Sequence, residues 1–118
     1  MRLAIVQTNP QFASVDSNVK AALTLMEKAQ ADLYVLPQLF NTGYNFADMA
    51  EVEKLAEPAE GKTCKAMMEF SRRNSCYVVY GFAEKSNRLY NSSALVGPDG
   101  LIGVYRKVHL YYRENLFF

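Results

Sequence analysis

The sequence predicts an α/β fold: a mixed β-sheet with helices packed on one face. Three observations carry this expectation. Two short apolar runs, residues 3–6 and 32–36, flank a segment of helical periodicity, which is the pattern of a βαβ unit with parallel strands. Residues 76–82 form a second strong apolar strand. Gly97, Pro98, Asp99 and Gly100 then form a turn between two strand-like stretches, as in an antiparallel hairpin. A parallel opening followed by a hairpin implies a mixed sheet.

The elements follow in order. Leu3, Ala4, Ile5 and Val6 make a continuous apolar strand, broken at Asn9 and Pro10. Ser14 or Asp16 can cap a helix in which Val15, Val19, Ala22, Leu23, Met26 and Ala29 recur at helical spacing. Pro37 stops the next strand, because it offers no amide hydrogen and fixes its own φ. Residues 41–44 read as a loop, and residues 47–57 as a short helix ended by Pro58. Thr63 can cap a further helix that buries Ala66, Met67 and Phe70 and ends near Asn74. Residues 84–88 are polar and turn-like. In residues 89–96, Tyr90, Ser92, Ala94 and Val96 share one face of a strand, and residues 101–105 form its hairpin partner. Residues 111–118 show no terminating element.

Composition excludes several function classes. The chain has 118 residues, enough for one domain, and half of them are hydrophobic against a fifth charged, a globular balance. A formal net charge of +1 leaves no electrostatic footprint for nucleic acid or an anionic membrane. No apolar run approaches the roughly 20 residues that a spanning helix needs. The first residues read as a strand and not as a secretion signal, so a cytoplasmic location is expected. Cys64 and Cys76 form no disulfide framework, and with His109 as the single histidine no metal site is expected.

Chemistry concentrates in three segments. Leu36-Pro37-Gln38-Leu39-Phe40-Asn41-Thr42-Gly43-Tyr44 follows a parallel strand at its carboxyl end, the edge where α/β sheets place ligands. Tyr105-Arg106-Lys107-Val108-His109-Leu110 follows the hairpin, and Tyr112-Arg113-Glu114-Asn115-Leu116-Phe117-Phe118 follows that. On residue chemistry alone, Lys107 is a surface lysine, Gln38 a strand-end polar group, and Phe40 and Tyr44 packing aromatics. Cys64 and Cys76 read as small core residues, and His109 as a hydrogen-bonding group that holds the loop or Lys107.

Together these segments resemble the nitrilase superfamily of carbon–nitrogen hydrolases. Its signature after the second strand matches residues 36–44 with a glutamate in place of Gln38, and its lysine motif matches Tyr105 to Leu110. Gln7, Asn9 and Pro10, the Tyr90-Asn91-Ser92 stretch and the Gly97–Gly100 turn resemble the same family. The likeness runs in order along the whole chain.

The resemblance implies an α-β-β-α sandwich, of which residues 1–118 are the N-terminal part of a single hydrolase domain. It implies hydrolysis of a non-peptide C–N bond in a small amide, nitrile or carbamoyl compound, with no cofactor. A cysteine thiolate attacks carbon, a glutamate moves the protons, and a lysine stabilises charge on the substrate heteroatom. By resemblance Lys107 is that lysine, Glu114 is a second, positioning glutamate, Gln38 occupies the general-base position, and Phe40, Tyr44 and His109 are candidate binding residues. Gln38 is an amide and takes up no proton near neutral pH. The family's nucleophile lies in a strand-to-helix elbow later than the lysine motif, and neither Cys64 nor Cys76 has that context. The expectation is therefore a truncated chain, inactive alone. It should expose an apolar sheet face and act as a homo-oligomer or with a complementary C-terminal half. Two alternatives stand beside it: a non-catalytic binding or assembly module on the same fold, and a flavodoxin-like nucleotide binder. The second is disfavoured because Gln7, Thr8, Asn9 and Pro10 include no glycine to cradle phosphate.

Overall fold

The computed structural model describes residues 1–118. Five strands form one sheet in the order β1-β2-β3-β4-β5. β1 (Leu3–Ile5), β2 (Leu33–Val35) and β3 (Tyr77–Lys85) run parallel, while β4 (Leu89–Gly97) and β5 (Gly100–Arg106) continue antiparallel. Helix α1 (Val15–Met26) links β1 to β2, and α2 (Met49–Leu55) and α3 (Lys62–Asn74) link β2 to β3. The mixed sheet is therefore as the sequence predicts.

Side chains alternate across the pleat. Tyr34, Val78, Tyr80, Phe82, Ala94 and Val96 point to the helices, where they meet Ala22 and Met26 of α1 and Met67 and Phe70 of α3 in one buried cluster. The Tyr34 and Phe70 rings meet edge to face at 5.2 Å. The opposite face stays bare. On it Leu3, Ile5, Tyr77 and Ile102 are 54, 79, 44 and 58 % exposed, which is the uncovered apolar face that the sequence leads one to expect.

A smaller cluster of Leu39, Phe46, Val52, Ala83 and Phe117 forms around the C-terminal part of β3. It anchors the last element, a 3-10 turn, η1 (Tyr112–Leu116), so the chain's final residues do have a defined structure. Their cue is long-range: the Phe46 ring packs at 6.0 Å from Phe117 and 6.1 Å from Phe118.

Other departures from the sequence reading have local causes. Glu84 and Lys85 belong to β3 and not to a turn, because Lys85 donates its amide hydrogen to the Glu57 carbonyl and Glu84 accepts two hydrogen bonds from Arg106. Ala29 lies beyond the end of α1. Gly61, not Thr63, caps α3, and the Glu57 carboxylate accepts from the Thr63 amide at 2.8 Å and hydroxyl at 2.6 Å. No helix is long and apolar enough to cross a membrane.

Candidate active site

The site forms where the loop after β2 meets the end of β5. Pro37 ends β2, and the backbone turns sharply at Leu39, whose φ of +50° is left-handed and costly for a branched residue. That turn sends the Leu39 side chain into the small cluster and leaves Gln38 exposed. The loop lies directly on β3. Gly81 donates its amide hydrogen to the Pro37 carbonyl, and its own carbonyl accepts from Phe40. A Cβ on residue 81 would sit 2.6 Å from the Gln38 Cα, so the close approach requires glycine. On the far side, Asn41 is wholly buried; its side-chain amide donates to Glu57 and to Thr63, both at 3.0 Å, and its backbone carbonyl accepts from the Asn18 side chain at 2.9 Å.

Lys107 follows β5 and extends its ladder, with its amide hydrogen donated to the Asn91 carbonyl at 2.9 Å. Its ammonium donates to Gln38 Oε1 at 3.0 Å and lies 3.0 Å from each carboxylate oxygen of Glu114. Glu114 is the hub of the group and only 2 % exposed. It also accepts from the Tyr44 hydroxyl at 2.5 Å and from the Tyr111 amide at 3.1 Å, while Gln38 Nε2 approaches it at 3.5 Å. Burial pushes the Glu114 carboxyl up. The hydrogen bonds from Tyr44, Lys107 and Tyr111, with the Lys107 charge, outweigh that and hold it below the ordinary carboxylate value. The Tyr44 phenol is pushed up to about 12, by its own desolvation first and then by its bond to Glu114. At neutral pH Glu114 is thus an anion and Tyr44 a neutral donor. Glu114 positions Lys107; it is poorly suited to taking up a proton.

A cleft of about 190 Å³ opens beside these groups, lined by Leu36, Gln38, Gly81, Asn91, Tyr105 and Lys107 among others. Ser93 and Tyr105, paired across β4 and β5, lead from it onto the bare sheet face.

The structure thus brings together Gln38 and Tyr44 of one loop with Lys107 and Glu114 of a segment far away in sequence. It does not bring the other candidates. Phe40, expected as a candidate binding residue, is wholly buried, its ring packed edge-on against Tyr80 at 6.0 Å, because the left-handed turn at Leu39 directs it into the core. His109 is exposed and makes no side-chain hydrogen bond, because the chain swings out between Lys107 and η1; it holds neither Lys107 nor the loop. Cys64 and Cys76 are buried in the main cluster, and burial pushes both thiols up, away from the thiolate. No group of three or more His, Cys, Asp or Glu side chains is placed to hold a metal ion.

Gly81 and the side chains of Asn91 and the Asn41–Glu57–Thr63 node did not stand out in the sequence as parts of the site, although Asn41 and Asn91 lie in stretches that resemble the family. Gly81 carried a local signal, a glycine inside an otherwise apolar strand, which marks a close backbone approach.

Comparisons with known proteins bear on the fold and the family. The carbon-nitrogen hydrolase family model matches residues 2–118. The chain is 46 % identical over 123 residues to a protein named nitrilase from Pyrococcus abyssi, covering 100 % of this chain and 47 % of that one. It is 33 % identical over 118 residues to an (R)-stereoselective amidase from a Pseudomonas species, covering 98 % and 42 %. The crystal structure of an N-terminal amidase superimposes with a TM-score of 0.91 at 26 % identity, over 99 % of this chain and 30 % of that one. This chain therefore spans about half the length of the curated relatives it matches. With its mixed sheet, its lysine–glutamate pair and this match over nearly every residue, the chain belongs to the carbon-nitrogen hydrolase family.

Proposed function

We propose that this chain supplies the lysine, the positioning glutamate and the base-position residue of a hydrolase site for a non-peptide C–N bond in a small amide, nitrile or carbamoyl compound. The 3.0 Å contacts of the Lys107 ammonium with both Gln38 and Glu114 carry this reading. They aim one charged donor at a cleft, where it can stabilise a negative heteroatom as a carbonyl or nitrile carbon is attacked. Residues 1–118 are then the N-terminal part of a single hydrolase domain. A second, complementary half covers the bare sheet face, roofs the cleft and brings the nucleophilic cysteine; a homo-oligomer is the other arrangement that would cover the face. The apolar exposure of Ile5 and Ile102 and the opening of the cleft onto that face support this. A cytoplasmic setting belongs to the same proposal.

Gln38 is the observation that favours a second reading, a non-catalytic binding or assembly module on the same fold. As an amide it accepts the Lys107 hydrogen bond but relays no proton. One experiment separates the two. Ammonia release from small amides and nitriles is measured for the unsubstituted chain and for Gln38→Glu, each alone and with a polypeptide carrying a relative's second half. The hydrolase reading expects no release from the unsubstituted chain, release from Gln38→Glu with the second half, and loss of that release on Lys107→Met. Silence of the complemented Gln38→Glu protein would leave the module. Turnover by the unsubstituted chain alone, abolished by Lys107→Met, would overturn the assignment of residue 38 as a base position that has lost its base.

A further inference from the structure

We infer that Glu57, which lies outside the cleft, is a positioning residue for the contact between Gln38 and Lys107 and acts through the buried side chain of Asn41. The inference rests on reading that contact as part of a hydrolase site.

Glu57 is tied to the strand on which the Gln38 loop sits. Its backbone bridges to the end of β3: its amide hydrogen goes to the Ala83 carbonyl at 3.0 Å, and its carbonyl accepts from Lys85 at 2.8 Å. Its half-buried carboxylate then accepts from the Thr63 amide at 2.8 Å, the Thr63 hydroxyl at 2.6 Å and the Asn41 side chain at 3.0 Å. Asn41 also donates to the Thr63 hydroxyl at 3.0 Å, so Asn41, Thr63 and Glu57 close a ring. Asn41 and Thr63 are both buried, away from competing water. Asn41 Oδ1 is buried without a partner, a costly arrangement. The carboxylate explains it: a carboxylate only accepts, so the amide must turn its nitrogen to Glu57.

Holding the start of α3 requires only the bond from the Thr63 amide. The bond to Asn41 acts elsewhere. Asn41 lies three residues after Gln38 and three before Tyr44, the two loop residues that meet Lys107 and Glu114. Between Gln38 and Asn41 stands Leu39 at φ +50°. A branched residue keeps such a backbone only where its surroundings over-determine it. Gly81 holds the loop from one side through Pro37 and Phe40, and Glu57 holds it from the other through Asn41. With the Glu57 carboxylate removed, the turn relaxes at Leu39 and shifts Gln38, its neighbour in the chain.

The test is ¹H–¹⁵N NMR of the 118-residue chain and of Glu57→Ala, Asn41→Ala and the double variant, each checked for retained chemical-shift dispersion. The Gln38 side-chain amide should move in both single variants. The double variant should match Asn41→Ala, because Glu57 acts only through that residue. Asn41→Ala leaves the Glu57–Thr63 bonds at the start of α3 in place. Met26→Ala, a cut in the main cluster near Tyr34 of β2, should destabilise the fold and leave the Gln38 resonance where it is. Where an alanine variant loses dispersion, Thr63→Val, which removes only the hydroxyl of the ring, should move the same resonance by a smaller amount. An unmoved Gln38 amide in Glu57→Ala or Thr63→Val, additive shifts in the double variant, or an equal shift in Met26→Ala would each overturn the inference. In the Gln38→Glu chain joined by a relative's second half, Glu57→Ala should lower kcat about tenfold and leave KM within about twofold, since a displaced group weakens the transition state more than binding. An unchanged kcat would likewise overturn it. If that protein releases no ammonia before Glu57 is changed, the hydrolase reading fails, while the NMR comparison still decides the role of Glu57.

Discussion

The ammonium nitrogen of Lys107 lies 3.0 Å from the side-chain oxygen of Gln38, a contact that spans 69 residues of sequence. Two loops make it, one after β2 and one after β5, with β3 and β4 between those strands, and neither loop is held by itself. Gln38 depends on the tight seating of its loop on β3, and Lys107 on Glu114, which η1 carries and Phe117 anchors.

Tyr44→Phe tests the tie between the first loop and Glu114. The substitution keeps the ring and removes the hydroxyl that donates to Glu114 at 2.5 Å. A hydrogen bond to a charged group contributes about 1.5–3 kcal/mol, and with the tyrosine 43 % exposed the lower end applies, about 1.5 kcal/mol. Urea unfolding should show that loss with an unchanged m-value. Carboxyl NMR should show Glu114 titrating at higher pH than in the unsubstituted chain, because one of the bonds that lowers it is gone. An unmoved Glu114 titration would mean that the Tyr44 contact does not form in solution.

Acid should destabilise the fold through two carboxylates. The Arg106 hydrogen bonds hold Glu84 below its ordinary value, helped by Ser92 and by the Arg106 charge, against burial. Glu114 is lowered as described above. When the folded pKa lies below the unfolded one, the unfolded chain binds more protons on acidification. The contribution is therefore complete above the unfolded value and drains away as pH falls through the folded one. The urea midpoint should hold between about pH 7 and 5.5 and drop below about pH 4.5. Glu114→Gln, already weaker at neutral pH, should show a shallower drop. A midpoint that rises towards acid would contradict both assignments.

Gly81→Ala should disrupt the seating of the Gln38 loop. The added methyl would meet the Gln38 Cα at 2.6 Å and the Leu39 nitrogen at 2.9 Å, and both are backbone atoms that cannot swing aside. Forcing atoms into a filled site costs about 1–3 kcal/mol, and the upper end is expected where backbone must shift. Thermal unfolding measures the loss. In the same variant the Gln38 side-chain amide resonance should move, because its contact with Lys107 lengthens. A variant as stable as the parent, with an unmoved Gln38 resonance, would show that the loop does not need this contact.

Much of the architecture was legible along the chain because it rests on local rules. Apolar runs at residues 3–6 and 32–36 around an amphipathic helix dictate a parallel pair, and the Gly97–Gly100 turn dictates a hairpin, since each needs only neighbouring residues to agree. The motifs around Gln38, Lys107 and Glu114 were visible for the same reason, as was the amide character of residue 38, which takes up no proton near neutral pH. Folding in three dimensions settled what depends on partners distant in sequence. Phe40 and Tyr44 are both aromatics of one short loop, yet the left-handed turn at Leu39 buries the first and leaves the second on Glu114. Glu84 looked like turn sequence until Arg106, from β5, reached it. Residues 111–118 had no readable structure until Phe46, far earlier in the chain, gave Phe117 and Phe118 a place to pack. Burial and long-range hydrogen bonds are properties of the closed fold, so no window of sequence contains them.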